Sequence, residues 1–191
     1  MRDQRLDALA DLLVNYSTGV QPGELVFISC DESCQPWMLA VAEAAIKAGG
    51  FVETCMTSQE VEERKLKYGT KEQLLQGNLI RETILAKADV WLTAWGGRNT
   101  RINSNIEADN MTLTAKGNKA WRQIYSKRMG DGSLRWCGTQ FPTYSDAQEA
   151  SMSLSDYEDF VYGAGLLNTK DPTAEWKRIS GEHEKWIDFL N

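Results

Sequence analysis

Four short apolar runs, each about the length of one strand and each followed by helical periodicity, constrain the fold of this chain more than any other feature. They are Leu25-Val-Phe-Ile-Ser-Cys30, Phe51 to Met56, Val90-Trp-Leu-Thr-Ala-Trp95 and Leu134-Arg-Trp-Cys-Gly138. The first is apolar almost throughout and does not alternate, which is the pattern of a strand covered on both faces, as in a parallel sheet. Parallel neighbours need crossover connections, and helices fill them.

The intervening segments supply those helices. Leu6, Leu9, Ala10, Leu13 and Tyr16 recur at helical spacing before the first run and stop at Gly19 and Pro22-Gly23. Trp37 to Ala48 is apolar on most sides, with Glu43 and Lys47 as an i,i+4 pair on the wet face, and Gly49-Gly50 ends it. Thr70 and Gln73 have the spacing of a capping box, and helical turns continue from there to about Ala88 with a break at Gly77-Asn78. Arg98 to Gly130 reads as mostly helical, centred on Ile124. In the tail, Ser153 or Ser155 can cap one helix with Asp156 or Glu158 three residues on, and Asp171-Pro172 opens another. The expectation is an α/β fold over residues 1–191, a single domain. Its open, mainly parallel sheet has about four to five strands and helices on both faces, with a helical tail over about 153–191.

A chain of 191 residues, 42% of them apolar, supports one generous domain. The 21 basic and 27 acidic residues give a net charge of −6, with no run denser than Lys65-Leu66-Lys67 or Lys127-Arg128, so a nucleic-acid partner is not expected. No apolar run approaches the roughly 20 residues of a membrane span, and the N-terminus leads into an amphipathic helix and not a signal segment. A soluble, cytoplasmic protein without a membrane partner is the expectation. The cysteines Cys30, Cys34, Cys55 and Cys137 read as reduced core residues, in keeping with that compartment.

Most familiar chemistries lack their residues here. A hydrolytic zinc or cobalt site needs several converging His, Asp, Glu or Cys side chains, and this chain has a single histidine, His183, on a stripe with Trp176, Ile179, Ile187 and Leu190. Cys30 and Cys34 are separated by three residues and have no second pair to complete a metal site. The turn after the first strand, Asp31-Glu32-Ser33-Cys34-Gln35-Pro36, offers two carboxylates and no glycine where a dinucleotide would need a glycine-rich approach. The Gly-x-Ser-x-Gly elbow of serine hydrolases is missing as well. Paired acids such as Glu62-Glu63 and Glu158-Asp159 read as solvated faces. What remains is the set of residues just past the strand ends, where open parallel sheets place their ligands: Asp31 and Glu32, Trp95 to Asn99, and Thr139 to Gln148.

One stretch is specific enough to suggest a lineage. Phe141-Pro-Thr-Tyr-Ser-Asp-Ala-Gln-Glu-Ala-Ser-Met-Ser-Leu-Ser-Asp-Tyr-Glu-Asp-Phe-Val-Tyr162, followed by Asp171-Pro-Thr-Ala-Glu-Trp176, resembles the thermophilic-type metalloaminopeptidases, the family of aminopeptidase T and aminopeptidase S. More generic likeness extends to Val20-Gln-Pro-Gly-Glu-Leu-Val26, Ala42 to Gly50 and Asn99. The resemblance implies the N-terminal α/β domain of a two-metal peptidase that releases N-terminal residues from peptides. It also implies a homodimer, and metal ligands in a second half of the polypeptide. No catalytic residue and no metal ligand carries over to a position of this sequence. A divalent metal of zinc or cobalt type is therefore expected in the C-terminal half, with no cofactor in this chain. Trp95, Arg98, Asn99, Thr143 and Gln148 are the candidates for a cleft wall or domain interface, and the peptide is a partner only of a complete enzyme. Two other readings stay open. One is a non-catalytic binding or dimerisation module on the same scaffold, and the other is an unrelated α/β enzyme acting through Asp31 or Glu32.

Overall fold

The computed structural model describes residues 3–190. Strands β1 (Leu25–Asp31), β2 (Phe51–Thr57), β3 (Val90–Trp95) and β4 (Arg135–Gln140) form one sheet in the order β2-β1-β3-β4, and every neighbouring pair is parallel. Helix α2 (Gln35–Lys47) joins β1 to β2. Three helices, α3 (Gln59–Tyr68), α4 (Lys71–Leu75) and α5 (Leu79–Leu85), carry the chain back across β1 to β3. Then α6 (Ala108–Gly117) and α7 (Lys119–Gly130) lead into β4, and α8 (Tyr144–Glu149), α9 (Leu154–Ala164) and α10 (Pro172–Leu190) complete the chain. The open parallel sheet and helical tail expected from the sequence are both present, with the strand count at four.

Alternation along β1 and β3 sorts the core into two layers of different character. Val26, Ile28, Cys30, Val90, Leu92 and Ala94 point to one face, where α2 and α1 (Gln4–Asp11) pack with Trp37, Val41, Ala45, Leu6 and Leu9. Phe27 and Trp91 point to the other, against Leu85, Trp121 and Leu134 from α5, α7 and the entry to β4. Chain direction reverses after β2, so crossovers of one hand must place α2 and α7 on opposite faces, and the two clusters show that they are. Each fully buried side chain of this kind contributes about 1.5–3 kcal/mol.

The aromatic layer is fixed by orientation as well as by area. Trp91 meets Trp121 and Tyr125 edge-on with ring centroids 6.4 and 5.2 Å apart. Its indole N–H donates to the buried Ser29 hydroxyl at 2.8 Å, and that hydroxyl donates in turn to Thr93 at 3.3 Å, so the polar atoms inside the sheet are satisfied. Arg128 closes the layer by donating to the carbonyls of Leu85 and Ala88 at 2.9 and 2.7 Å, which would otherwise be orphaned at the end of α5.

Local signals in the sequence are realised as hydrogen bonds. Thr70 and Gln73 form both halves of the capping box at α4. Of the two serines that could cap α9, Ser153 does so, accepting from the Asp156 N–H at 3.1 Å. Asp171 accepts from Ala174 N–H at 2.9 Å and starts α10 at Pro172. The helix α3 has no counterpart in the sequence reading, because its ten residues bury nothing and show no apolar stripe. The apolar stripe of α10 is buried only in part. Trp176 is half-buried and its indole N–H donates to the Gly165 carbonyl at 3.1 Å, while Ile187 and Leu190 are 55% and 80% exposed. His183 is exposed on the same outer half. The four cysteines are free thiols.

Candidate functional site

In this strand order the direction reverses between β1 and β3, and the carboxyl ends of those two strands border the crevice where α/β sheets take ligands. The crevice is built from four segments. After β1, Asp31 turns back to accept from Ser33 N–H at 3.2 Å and sets a single tight turn, Glu32–Cys34, before α2. After β3 come Gly96 and Gly97. Gln59 opens α3 on one side, and Phe141 to Thr143 lead from β4 into α8 on the other.

These segments approach so closely that two positions have no room for a side chain. A Cβ on Gly96 would lie 2.6 Å from the Phe141 carbonyl oxygen, and one on Gly97 would lie 2.1 Å from the Gln59 amide nitrogen. With no side chains in the way, the backbone polar groups find partners directly. The Gln59 side-chain oxygen accepts from the N–H groups of Arg98 and Asn99 at 2.9 and 3.3 Å. The Ser145 hydroxyl donates to the Gly97 carbonyl at 2.6 Å, the Cys34 thiol to the Gly96 carbonyl at 3.4 Å, and the Phe141 N–H to the Trp95 carbonyl at 2.7 Å.

Each residue singled out from the sequence can now be placed. Trp95 ends β3 at 54% exposure, its indole lying over Gly138 so closely that a Cβ there would meet the ring at 2.3 Å. The Arg98 guanidinium pairs with Glu32 at 3.2 Å, bridging the ends of β3 and β1. Asn99 accepts from the Arg101 N–H at 2.8 Å and shapes the loop beyond. Thr143 is buried and caps α8, accepting from Asp146 N–H at 3.3 Å while its hydroxyl donates to the Asp146 carboxylate at 2.6 Å. Gln148 is exposed on α8. Trp95, Arg98, Asn99 and Thr143 therefore belong to the segments bordering the crevice, with Gln148 on the outer surface of the helix that Thr143 caps. Sequence reasoning passed over Gln59 and the Arg101 to Glu149 pair at 3.2 Å, and reached Ser145 only as part of the stretch from Thr139 to Gln148. Nothing local marks them, since each acts on a segment about 40 or more residues away.

A hydrogen bond with Cys30 and then burial push the Cys34 thiol above the usual thiol range, and the same hydrogen bond pulls the Cys30 thiol down. Hydrogen bonds from Arg101 and Thr100 hold the Glu149 carboxyl below its ordinary value, which keeps it charged and paired. Among the described residues no three His, Cys, Asp or Glu side chains converge so as to hold a metal ion. Asp31 and Glu32 are engaged in the turn and with Arg98.

The family model described as "Thermophilic metalloprotease (M29)" matches residues 2–191, and the chain belongs to that family. Its fold is also that of wild-type AmpT from Thermus thermophilus, with a TM-score of 0.79 at 16% identity over 95% of this chain. The match covers 47% of the AmpT chain, so this chain spans about half the length of that structure. No curated protein matches the sequence.

Proposed function

We propose that this chain is the N-terminal α/β domain of a metal-dependent aminopeptidase, serving as scaffold and cleft wall for a site whose metal ligands lie in another domain. The observation that carries this reading is the family match over residues 2–191 in a chain whose fold covers 47% of AmpT, together with a crevice in which Gln59, Glu32 and Ser145 are each engaged by a neighbouring segment. The divalent metal, of zinc or cobalt type, would be held by a C-terminal domain. The residues described here do not fit it, and no catalytic step runs through them. Trp95, Arg98 and Asn99 would line the side of the cleft facing that domain. Peptide substrates, a homodimer and a cytoplasmic location complete the proposal.

The second reading, a binding or dimerisation module, is favoured by the end of α10. Trp186, Ile187, Phe189 and Leu190 are all more than half exposed there, a run that soluble surfaces ordinarily cover with a partner. The experiment that separates the two is an aminopeptidase assay on the chain joined to the C-terminal domain of a catalytically competent relative. The first reading predicts chelator-sensitive release of N-terminal residues from unblocked peptides by the joined protein and none by this chain alone. Stable dimers of this chain with no activity in the joined protein would favour the second.

A further inference from the structure

The chain is acidic overall, with net charge −6, yet the stretch from Asn110 to Gly130 contains five basic side chains and no acidic one. Helical geometry gathers three of these. Lys116 at the end of α6 and Lys119 and Arg122 on the first turns of α7 line an open groove of about 550 Å³, together with Thr112, Gln123 and Ser126. No carboxylate lines this groove, and none of the three cations forms an ion pair with a described residue. Elsewhere the pattern is mixed: Lys47, Lys65, Lys67, Arg98, Arg101 and Arg178 each have a carboxylate partner, while Lys71, Lys87, Lys170, Lys177 and Lys185 have none among the described residues, so the groove is set apart by the gathering of three such cations with no acidic neighbour in its lining.

A second observation lies at the edge of the groove. Arg122 stacks on Trp121 with its guanidinium 5.5 Å from the ring, and Arg81 sits over the same ring at 5.2 Å. Arg81 has no carboxylate within ion-pair reach, and its side chain is half-buried among Trp91 and Trp121. Burial chiefly pulls its pKa down, Cys55 and Glu62 draw it partly back, and the nearby Arg122 charge adds a smaller downward push. Two like charges are thus held beside one indole by cation–π attraction without local neutralisation, which costs free energy in the absence of an anion.

We propose that the α6–α7 groove is a docking surface for an acidic polypeptide segment. Residues three apart on a helix lie about 5–6 Å from one another, so Lys119 and Arg122 on α7 sit at the spacing of carboxylates along an acidic helix, and Lys116 at the end of α6 extends the same lining. Charge complementarity selects the occupant. A long polyanion such as nucleic acid would meet the repulsion of the remaining acidic surface beyond three contacts. A compact phosphate would engage only part of a lining that also includes Thr112, Gln123 and Ser126, and the tripolyphosphate arm of the test below decides between it and a peptide. An open groove with aliphatic lysine stems and neutral hydrogen-bonding groups suits a peptide. This assignment stands independently of the peptidase reading.

The test is fluorescence anisotropy of a labelled glutamate-rich 12-residue peptide against the full chain at about 0.15 M salt, where charges beyond roughly 8 Å are screened. The competitors are a lysine-rich peptide, tripolyphosphate and a single-stranded oligonucleotide of equal charge. The variant replaces Lys116, Lys119 and Arg122 with Gln. A control variant replaces the exposed Lys71, Lys87 and Lys170 with Gln and so has the same net charge. The expected result is saturable binding of the acidic peptide, weakened about tenfold or more by the groove variant and less than twofold by the control. Circular dichroism must show both variants folded, and Lys119→Gln alone, weakening binding by a smaller factor, serves if the triple variant does not fold. Absence of binding, equal loss in both variants, or displacement by tripolyphosphate or oligonucleotide at lower concentration than by unlabelled acidic peptide would overturn the proposal.

Discussion

The crevice at the ends of β1 and β3 and the groove between α6 and α7 are opposites in their use of charge. In the crevice Glu32 meets Arg98, Arg101 meets Glu149, and the amides of Arg98 and Asn99 meet Gln59. In the groove Lys116, Lys119 and Arg122 meet no described carboxylate. Where a parallel sheet conventionally takes its ligand, the charges here are paired across segments, while unpaired cations sit on a pair of crossover helices. Position in a fold does not by itself assign a site, and the state of the polar groups at that position decides.

The contrast makes predictions that can break it. Gly96→Val should have the largest effect, because the added side chain starts 2.6 Å from a backbone oxygen that cannot rotate away. A loss of about 1–3 kcal/mol is expected, read as a drop in Tm of several degrees in calorimetry. Gln59→Leu should come next. It leaves two backbone N–H groups without their acceptor, and because they are solvent-accessible the cost should be about 1 kcal/mol in urea denaturation.

Substituting Lys116, Lys119 and Arg122 together with Gln should change stability by no more than about 0.5 kcal/mol in either direction, since no ion pair is lost and the loss of the Arg122 contact with Trp121 is offset in part by relief of its repulsion with Arg81. If that variant were as destabilised as Gly96→Val, the groove cations would be structural and the contrast would collapse.

Acid titration sharpens the same point at a matched charge. Asp3 caps α1, and its carboxyl is held below the ordinary value chiefly by hydrogen bonding to Arg5. A carboxyl depressed in the folded state adds stability that is fully present above its unfolded value of 3.8 and is lost as pH falls through the lower folded value. Asp3→Asn keeps a capping oxygen and removes the charge. It should therefore lower stability by about 0.2–1 kcal/mol at pH 7 and leave a smaller difference from the parent below pH 3.8 in thermal melts across pH.

How much of this was legible beforehand follows from the range over which each signal acts. The central strands β1 and β3 were readable because burial on both faces writes a continuous apolar run, as in Val90 to Trp95, whereas β2 and β4 at the sheet edges are exposed or half-buried along most of their length. The caps at Thr70, Ser153 and Asp171 were readable because donor and acceptor lie within a few residues. The helix α3 was not, since its charged residues bury nothing and its Glu62 to Lys65 and Glu63 to Lys67 pairs look like any solvated segment. Gln59 was invisible for a related reason: its partners are 39 and 40 residues away. The basic groove escaped notice because Lys116, Lys119 and Arg122 are too dispersed in sequence to form a run, and only two helices meeting near Asn118 align them. The lineage, by contrast, was carried by the order of residues from Phe141 to Tyr162, which depends on no contact at all.

The central claim is that this domain frames a metal-dependent site without holding the metal, and metal stoichiometry tests it most directly. The purified chain would be dialysed to equilibrium against micromolar zinc and, separately, cobalt, and bound metal would be counted by elemental analysis. The account predicts substoichiometric metal that washes away in metal-free buffer. One or two ions per chain, retained on washing and released only by a chelator, would contradict it.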